Sequence, residues 1–227
     1  MKAFNLSIIV PIYNESDQID RLGKRLRLLK DDWVREIIIV DGGSTDGSGE
    51  TLAKEFTVIN SGQGRAAQMN AGAEKATGTW LLFLHADTHL EISHIKTAMG
   101  DGVLHHWGRF NVRLSGGHFM FRIIEWFINW RSRLTGIATG DQCLFIRKKL
   151  FDELNGFANI PLMEDVELCK RMRKQHKPIN IKKTVLTSSR RWRQFGVYKT
   201  IWLMWKLRFL YWRGVSPDQL AKMYKSN

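Results

Sequence analysis

The sequence predicts an α/β domain with a mostly parallel central sheet flanked by helices. Three observations carry that prediction. Short β-branched runs alternate with helical patterns through the first hundred residues. Each run ends in a loop rich in Gly, Ser, Asn or Asp, and open α/β sheets bind ligands at such loops. The 227 residues, 44% of them apolar, are enough for one sizeable core, which excludes intrinsic disorder. No repeat, low-complexity linker or clear boundary divides residues 1–227, so they read as one domain, with a first half to about residue 100, a second half over 101–195 and basic helices over 196–227.

The first strand is expected over 6–12, where proline at 11 closes an apolar run, and a helix follows over 16–30. The second strand, 36–40, ends in Asp41-Gly42-Gly43-Ser44-Thr45-Asp46-Gly47-Ser48: an acid at the tip, glycines permitting close backbone approach, and Ser, Thr and Asp as caps for a helix over 47–56. Capping accounts for Ser44, Thr45 and Asp46 but not for Asp41. A third strand over 57–60 leads into a helix over 65–76 that starts with Arg65, a site that favours an anion. The fourth, 79–84, has the unbroken apolar run of a buried parallel strand and emerges at His85-Ala86-Asp87, where an acid is available to hold Mg²⁺ or Mn²⁺ against a diphosphate. Beyond residue 100 the pattern loosens. Strands are expected over 109–114 and 142–146, and helices over 118–133, 165–175, 195–213 and 217–225.

Two rival readings stay open on residue patterns alone. Gly62-x-Gly64-x-x-Ala67, with Asp87 twenty residues on, fits a dinucleotide-binding fingerprint and hence a nicotinamide-dependent oxidoreductase. That fingerprint usually follows a first strand, and here it would leave the first two loops without a role. The formal charge of +13 suggests instead a non-catalytic basic module for RNA or membrane. The charge is unevenly placed: residues 1–169 carry net −2, and residues 170–227 carry sixteen basic side chains against Asp218 alone. No RNA-binding motif accompanies it, and nucleic acid is not the expected partner.

Five ordered motifs make the reading specific: VPIYNE at 10–15, VDGGSTDGS at 40–48, GRAAQMNAGA at 64–73, LLFLHAD at 81–87 and LMEDVELCKRMR at 162–173. Together they resemble the family 2 glycosyltransferases of the GT-A fold, over roughly residues 5–195. The resemblance implies a nucleotide-sugar donor held by Pro11, Tyr13, Glu15 and Asp41 with Arg65 near the nucleotide, so that the first half binds the donor and the second the acceptor. It implies a divalent cation, Mn²⁺ or Mg²⁺, on Asp87, although His85 replaces the first acid of the usual Asp-x-Asp. It also implies that Asp165 is the catalytic base, with Glu164 and Asp141 on the acceptor side. Such a base suits the chemistry, because an acceptor hydroxyl must lose its proton as it attacks the anomeric carbon. Ser188-Ser189-Arg190-Arg191-Trp192 is similar to the Gln-x-x-Arg-Trp signature of processive members. Arg191 and Trp192 match, the first for the diphosphate and the second for the acceptor side, while Ser188 in place of glutamine argues against a processive polymer synthase; the expected enzyme is a non-processive, inverting transferase with Asp165 as its base. The histidine variant and WRGVSPDQLAKMY at 212–224 resemble a small bacterial subgroup.

Seven of nine tryptophans follow residue 106, and the helix over 195–213 carries a Lys199, Lys206, Arg213 stripe on an otherwise apolar surface interrupted by Thr200 and Arg208. With the aromatic face of the helix over 118–133, this suits either an anionic membrane surface, and hence a lipid-linked acceptor, or core packing. Two cysteines, no run long enough for a secretory signal and no stretch of about 20 apolar residues set the expectation of a cytoplasmic protein, soluble or peripheral on the inner face of the cell membrane.

Overall fold

The computed structural model describes residues 5–102 and 105–226. Its strands are β1 (Leu6–Ile12), β2 (Val34–Asp41), β3 (Thr57–Asn60), β4 (Trp80–Phe83), β5 (Thr88–His89), β6 (Trp107–Leu114), β7 (Phe145–Arg147) and β8 (Ile179–Thr187). The helices are α1 (Ile19–Arg27), α2 (Ser48–Ala53), α3 (Arg65–Lys75), α4 (Ile92–Gly102), α5 (Phe119–Thr135), α6 (Lys148–Glu153), α7 (Glu164–Gln175), α8 (Arg190–Phe195), α9 (Val197–Trp212) and α10 (Pro217–Lys225). One sheet runs β3-β2-β1-β4-β7-β6-β8-β5. Its first four strands are parallel, as the sequence predicts. Beyond them the sheet is mixed: β7 runs antiparallel to both β4 and β6, β8 is parallel to β6, and β5 is antiparallel to β8.

Period-two alternation divides the core between the two faces of the sheet. Leu6, Ile8, Val10 and Ile12 of β1 pack with Leu22 and Leu26 of α1 and Leu52 of α2 on one side. Ile9 packs with Met69 of α3, Leu168 of α7 and Leu203 and Leu207 of α9 on the other. Each fully buried Leu or Ile contributes about 1.5–3 kcal/mol from its apolar surface, so these two layers dominate stability. Cys143 and Cys169 are buried free thiols; burial above all pushes Cys169 up to about 12, leaving it protonated and inert.

The sequence reading misses β8, β5, α4, α6 and α8. In β8 the cause is a bulge: Phe110 pairs with Ile181 but Asn111 pairs with Thr184, so Lys182 and Lys183 fall between the paired positions and break the alternation.

Candidate active site

The loops after β1 and β2 form one laced structure. The Asn14 and Glu15 backbone N–H groups donate to Ser44 Oγ and Ser48 Oγ, both at 3.0 Å. The Ser16 and Thr45 N–H groups donate to Asp46 Oδ2 and Asn14 Oδ1, at 2.8 and 2.9 Å. Beneath them Gln68 of α3 donates through Nε2 to the carbonyls of Ile12 and Val40, which ties the two strand tips together. Asp41 is buried, accepts from the Ser44 N–H and hydroxyl at 2.8 and 2.7 Å, and rests its other oxygen against Gly49, where a Cβ would overlap it. The acid that sequence left unexplained therefore anchors the loop. Pro11 is buried within β1, while Tyr13 is 42% exposed above it.

Four elements meet at Arg65, the first residue of α3. Its own surface is exposed, and charged groups of the other elements lie close enough to act on it. Desolvation pulls its pKa down, and Tyr224, Glu164, Asp87 and Asp165 together outweigh that pull, so the guanidinium is held charged. Burial raises the Asp87 pKa, Arg65 and Arg190 draw it down, and Asp141 pushes it further up. Met163 (φ +70°) turns the chain just before α7 and sets Glu164 and Asp165 in its first turn. Asp165 accepts from the N–H groups of Gly140 and Val166, at 2.9 and 2.7 Å. Burial still lifts its pKa, opposed first by the charge of Arg208. Glu164 is raised to about 7, by burial and then by Asp165, with Arg65 opposing. Asp141 sits one residue from Gly140 and accepts from the Thr139 hydroxyl.

His85, where the resemblance implies an acid, packs its ring onto Gly140, leaving no room for a Cβ there. Burial, and secondarily Arg65, push its pKa down to about 3, so it is neutral at physiological pH. Among the described residues no three His, Cys, Asp or Glu side chains converge to hold a metal ion. A single half-buried carboxylate, Asp87, in the company of further acids still fits a hard divalent cation whose remaining ligands come from a diphosphate and water.

Residues 7–155 match the family described as "Glycosyl transferase family 2". The chain belongs to the family 2 glycosyltransferases. Its relatives include an undecaprenyl-phosphate 4-deoxy-4-formamido-L-arabinose transferase of Pseudomonas fluorescens, 33% identical over 36% of this chain and 27% of that protein. A dodecaprenyl-phosphate galacturonate synthase of Rhizobium johnstonii is 25% identical over 62% of this chain and 46% of its own length. The chain thus spans from about a quarter to a half of these relatives. Among solved structures, a mannosyltransferase of Pyrobaculum calidifontis in complex with GDP-Man and Mn²⁺ superposes with a TM-score of 0.62 at 19% identity, over 80% of this chain and 56% of that one. S. aureus TarS residues 1–349 with UDP-GlcNAc gives 0.60 at 18%, over 81% and 58%. The fold is GT-A. The dinucleotide-binding alternative loses its structural basis, because the Gly62–Ala67 loop follows the sheet's edge strand β3 rather than β1.

The second half of the chain departs from expectation at Arg191 and Trp192. Arg191, expected at the diphosphate, donates through Nη2 to the Tyr224 carbonyl at 2.9 Å and stacks on the Tyr224 ring at 3.8 Å, so it anchors α10. Its neighbour Arg190 faces the acids instead, 3.8 Å from Glu15 Oε2 and within reach of the Asp87 charge. Trp192, expected on the acceptor side, packs against the cluster of Leu114, Phe121 and Ile124. Sequence reasoning also missed Tyr224, which approaches Arg65 from α10, and Arg131 of α5, whose charge acts on Asp165 and Asp141. The one available signal was a lone cation interrupting an apolar helix, as Arg208 does.

Helices α5 and α9 lie side by side and leave their aromatic faces exposed. Phe119, Ile123, Trp126, Phe127, Trp130 and Leu134 project from α5, and Tyr198, Trp202, Trp205, Phe209 and Trp212 from α9. Phe127 meets Trp205 edge to face at 6.4 Å, which joins the two faces into one. Lys206 lies over Trp202 and Arg213 over Phe209. No helix among the described residues is long and apolar enough to cross a membrane.

Proposed function

We propose that this transferase moves a sugar from a nucleotide-diphosphate donor to an acceptor hydroxyl carried on a membrane lipid, in one inverting, non-processive displacement. The observation that carries the reading is Asp165: a carboxylate fixed by two backbone N–H groups and facing the Arg65–Asp87 pair. The nucleotide lies across the laced loops, with Tyr13, Glu15 and Asp41 at the base and ribose and Arg65 toward the phosphates. Pro11 shapes the strand tip from beneath. Asp87 holds Mg²⁺ or Mn²⁺, which when bound neutralises charge on the departing diphosphate. Arg65 and Arg190 add fixed positive charge at that place.

Asp165 in its ionised form takes the acceptor proton as the acceptor oxygen attacks the anomeric carbon from the face opposite the diphosphate. One base and one displacement invert the configuration. His85 supports the geometry by bracing Gly140, whose N–H holds Asp165. Glu164 and Asp141 border the acceptor side. The joined aromatic face of α5 and α9, rimmed by Lys199, Lys206 and Arg213, suits peripheral binding to an anionic membrane, with rings at headgroup depth and cations against lipid phosphates. The two lipid-phosphate relatives support a lipid-borne acceptor.

A panel of nucleotide sugars, each with Mn²⁺ or Mg²⁺ and with or without membrane lipid extract, tests this. The expected result is transfer from one donor that needs both cation and lipid. Transfer unaffected by chelation and by omission of lipid would contradict it.

A further inference from the structure

Two arginines close to Asp165 hold unspent hydrogen-bond donors. Arg131 of α5 has Nη2 buried with no partner, and its Nη1 makes only a long contact of 3.4 Å to the Ile137 carbonyl. Arg208 of α9 is half-buried, and no hydrogen bond or ion pair joins it to the described residues. The two guanidiniums repel one another across the helix pair: burial first and Arg208 second push the Arg131 pKa down to about 10, with Asp141 and Asp165 opposing. Buried polar groups are normally satisfied, and two neighbouring cations with free N–H groups form a receptor that lacks its anion.

The surroundings say what kind of anion. Phe127 and Leu134 flank Arg131 one turn away on α5, and Trp205 and Trp212 flank Arg208 on α9. All four are exposed, and the Phe127–Trp205 ring contact runs between the stripes. The arginines thus stand where the aromatic face ends and the acid cluster begins, so a ligand spanning this boundary is apolar on one side and anionic on the other.

We infer that Arg131 and Arg208 form the subsite for the phosphate group of the acceptor lipid, which holds that lipid's hydroxyl against Asp165 while its tail lies along the α5–α9 face. The inference rests on the transferase reading above and adds the acceptor's chemical class. The reaction balances without another reagent. The hydroxyl is the phosphate's own P–OH or one on the headgroup; its proton passes to Asp165, its oxygen bonds the anomeric carbon, and the bond from that carbon to the nucleoside diphosphate breaks.

The test is binding to the full chain, followed by tryptophan fluorescence. The probes are a ten-carbon isoprenyl monophosphate, the matching alcohol, a short-chain phosphatidylglycerol and inorganic phosphate; UDP and GDP with Mn²⁺ are titrated separately. At least one lipid phosphate is expected to bind more tightly than both the alcohol and inorganic phosphate, and the tighter of the two names the lipid type. Arg208→Gln, which removes no hydrogen bond of the fold, should weaken that lipid by about 10- to 100-fold, the worth of a charge-assisted contact, and leave nucleotide affinity unchanged. Arg131→Gln should act in the same direction. Alcohol or inorganic phosphate binding as tightly as the lipid phosphates, or Arg208→Gln keeping the full preference, overturns the subsite even if nucleotides bind. Loss of nucleotide binding in the wild type, with the lipid-phosphate preference intact, refutes the donor reading and leaves the subsite standing.

Discussion

Replacing Glu164 by glutamine should make the protein more stable at alkaline pH. Glu164 is only 6% exposed, and burial together with the Asp165 charge raises its pKa from 4.5 to about 7, against the pull of Arg65. Between those two values the folded protein keeps a proton that the unfolded chain has lost. The group's contribution is therefore present in full below about pH 4.5 and is lost as pH rises through 7. The interval corresponds to about 3 kcal/mol. Glutamine preserves the neutral, buried form at every pH. Urea unfolding of both proteins at pH 5 and pH 8.5, without metal or nucleotide, gives the comparison, because titrating groups remote from Glu164 and its partner Asp165 cancel in the difference. An advantage for Glu164→Gln of only about 1 kcal/mol is expected at pH 5, growing to about 3 kcal/mol at pH 8.5. A difference that does not change with pH would refute the assignment of Glu164 as the buried, proton-holding member of the pair.

Gly140→Ala should reduce transfer sharply, because its Cβ overlaps the His85 ring and displaces the N–H that holds Asp165; adding His85→Ala should restore part of the activity in a steady-state assay. Arg191→Ala should loosen α10, with about 1–2 kcal/mol lost from its hydrogen bond and ring stacking, seen as faster proteolysis after residue 216 while the remaining core stays protected. Serine at Trp202, Trp205 and Trp212 together should abolish co-sedimentation with anionic vesicles without lowering the unfolding temperature, since all three rings are exposed. Unchanged vesicle binding would count against the α5–α9 face as the membrane contact.

The first half of the fold was legible because β1, β2 and β4 are buried on both faces and read as unbroken apolar runs that end in polar loops. The second half was not, because β7 is three residues long and the β8 bulge places two lysines where alternation would be sought. The acids Asp41, Asp87, Glu164 and Asp165 stand at the ends of strands or in the first turn of a helix, where sequence position already implies a loop-facing role. Arg131, Arg208 and Tyr224 come together only when α5, α9 and α10 pack, and no local pattern encodes that meeting. Arg190 and Arg191 illustrate the limit of a motif. Adjacent residues on α8 point about 100° apart, so a dipeptide match could not tell which arginine faces the acids and which anchors the last helix.

Whether Asp165 is the base is decided by sugar transfer in Asp165→Asn, measured beside donor affinity and thermal unfolding in the same preparation. Asparagine keeps the size and an acceptor for the Gly140 N–H but cannot take a proton. Transfer should fall by about 10²- to 10⁴-fold, with donor binding and folding essentially unchanged. Transfer at the wild-type rate by a folded Asp165→Asn protein would contradict it.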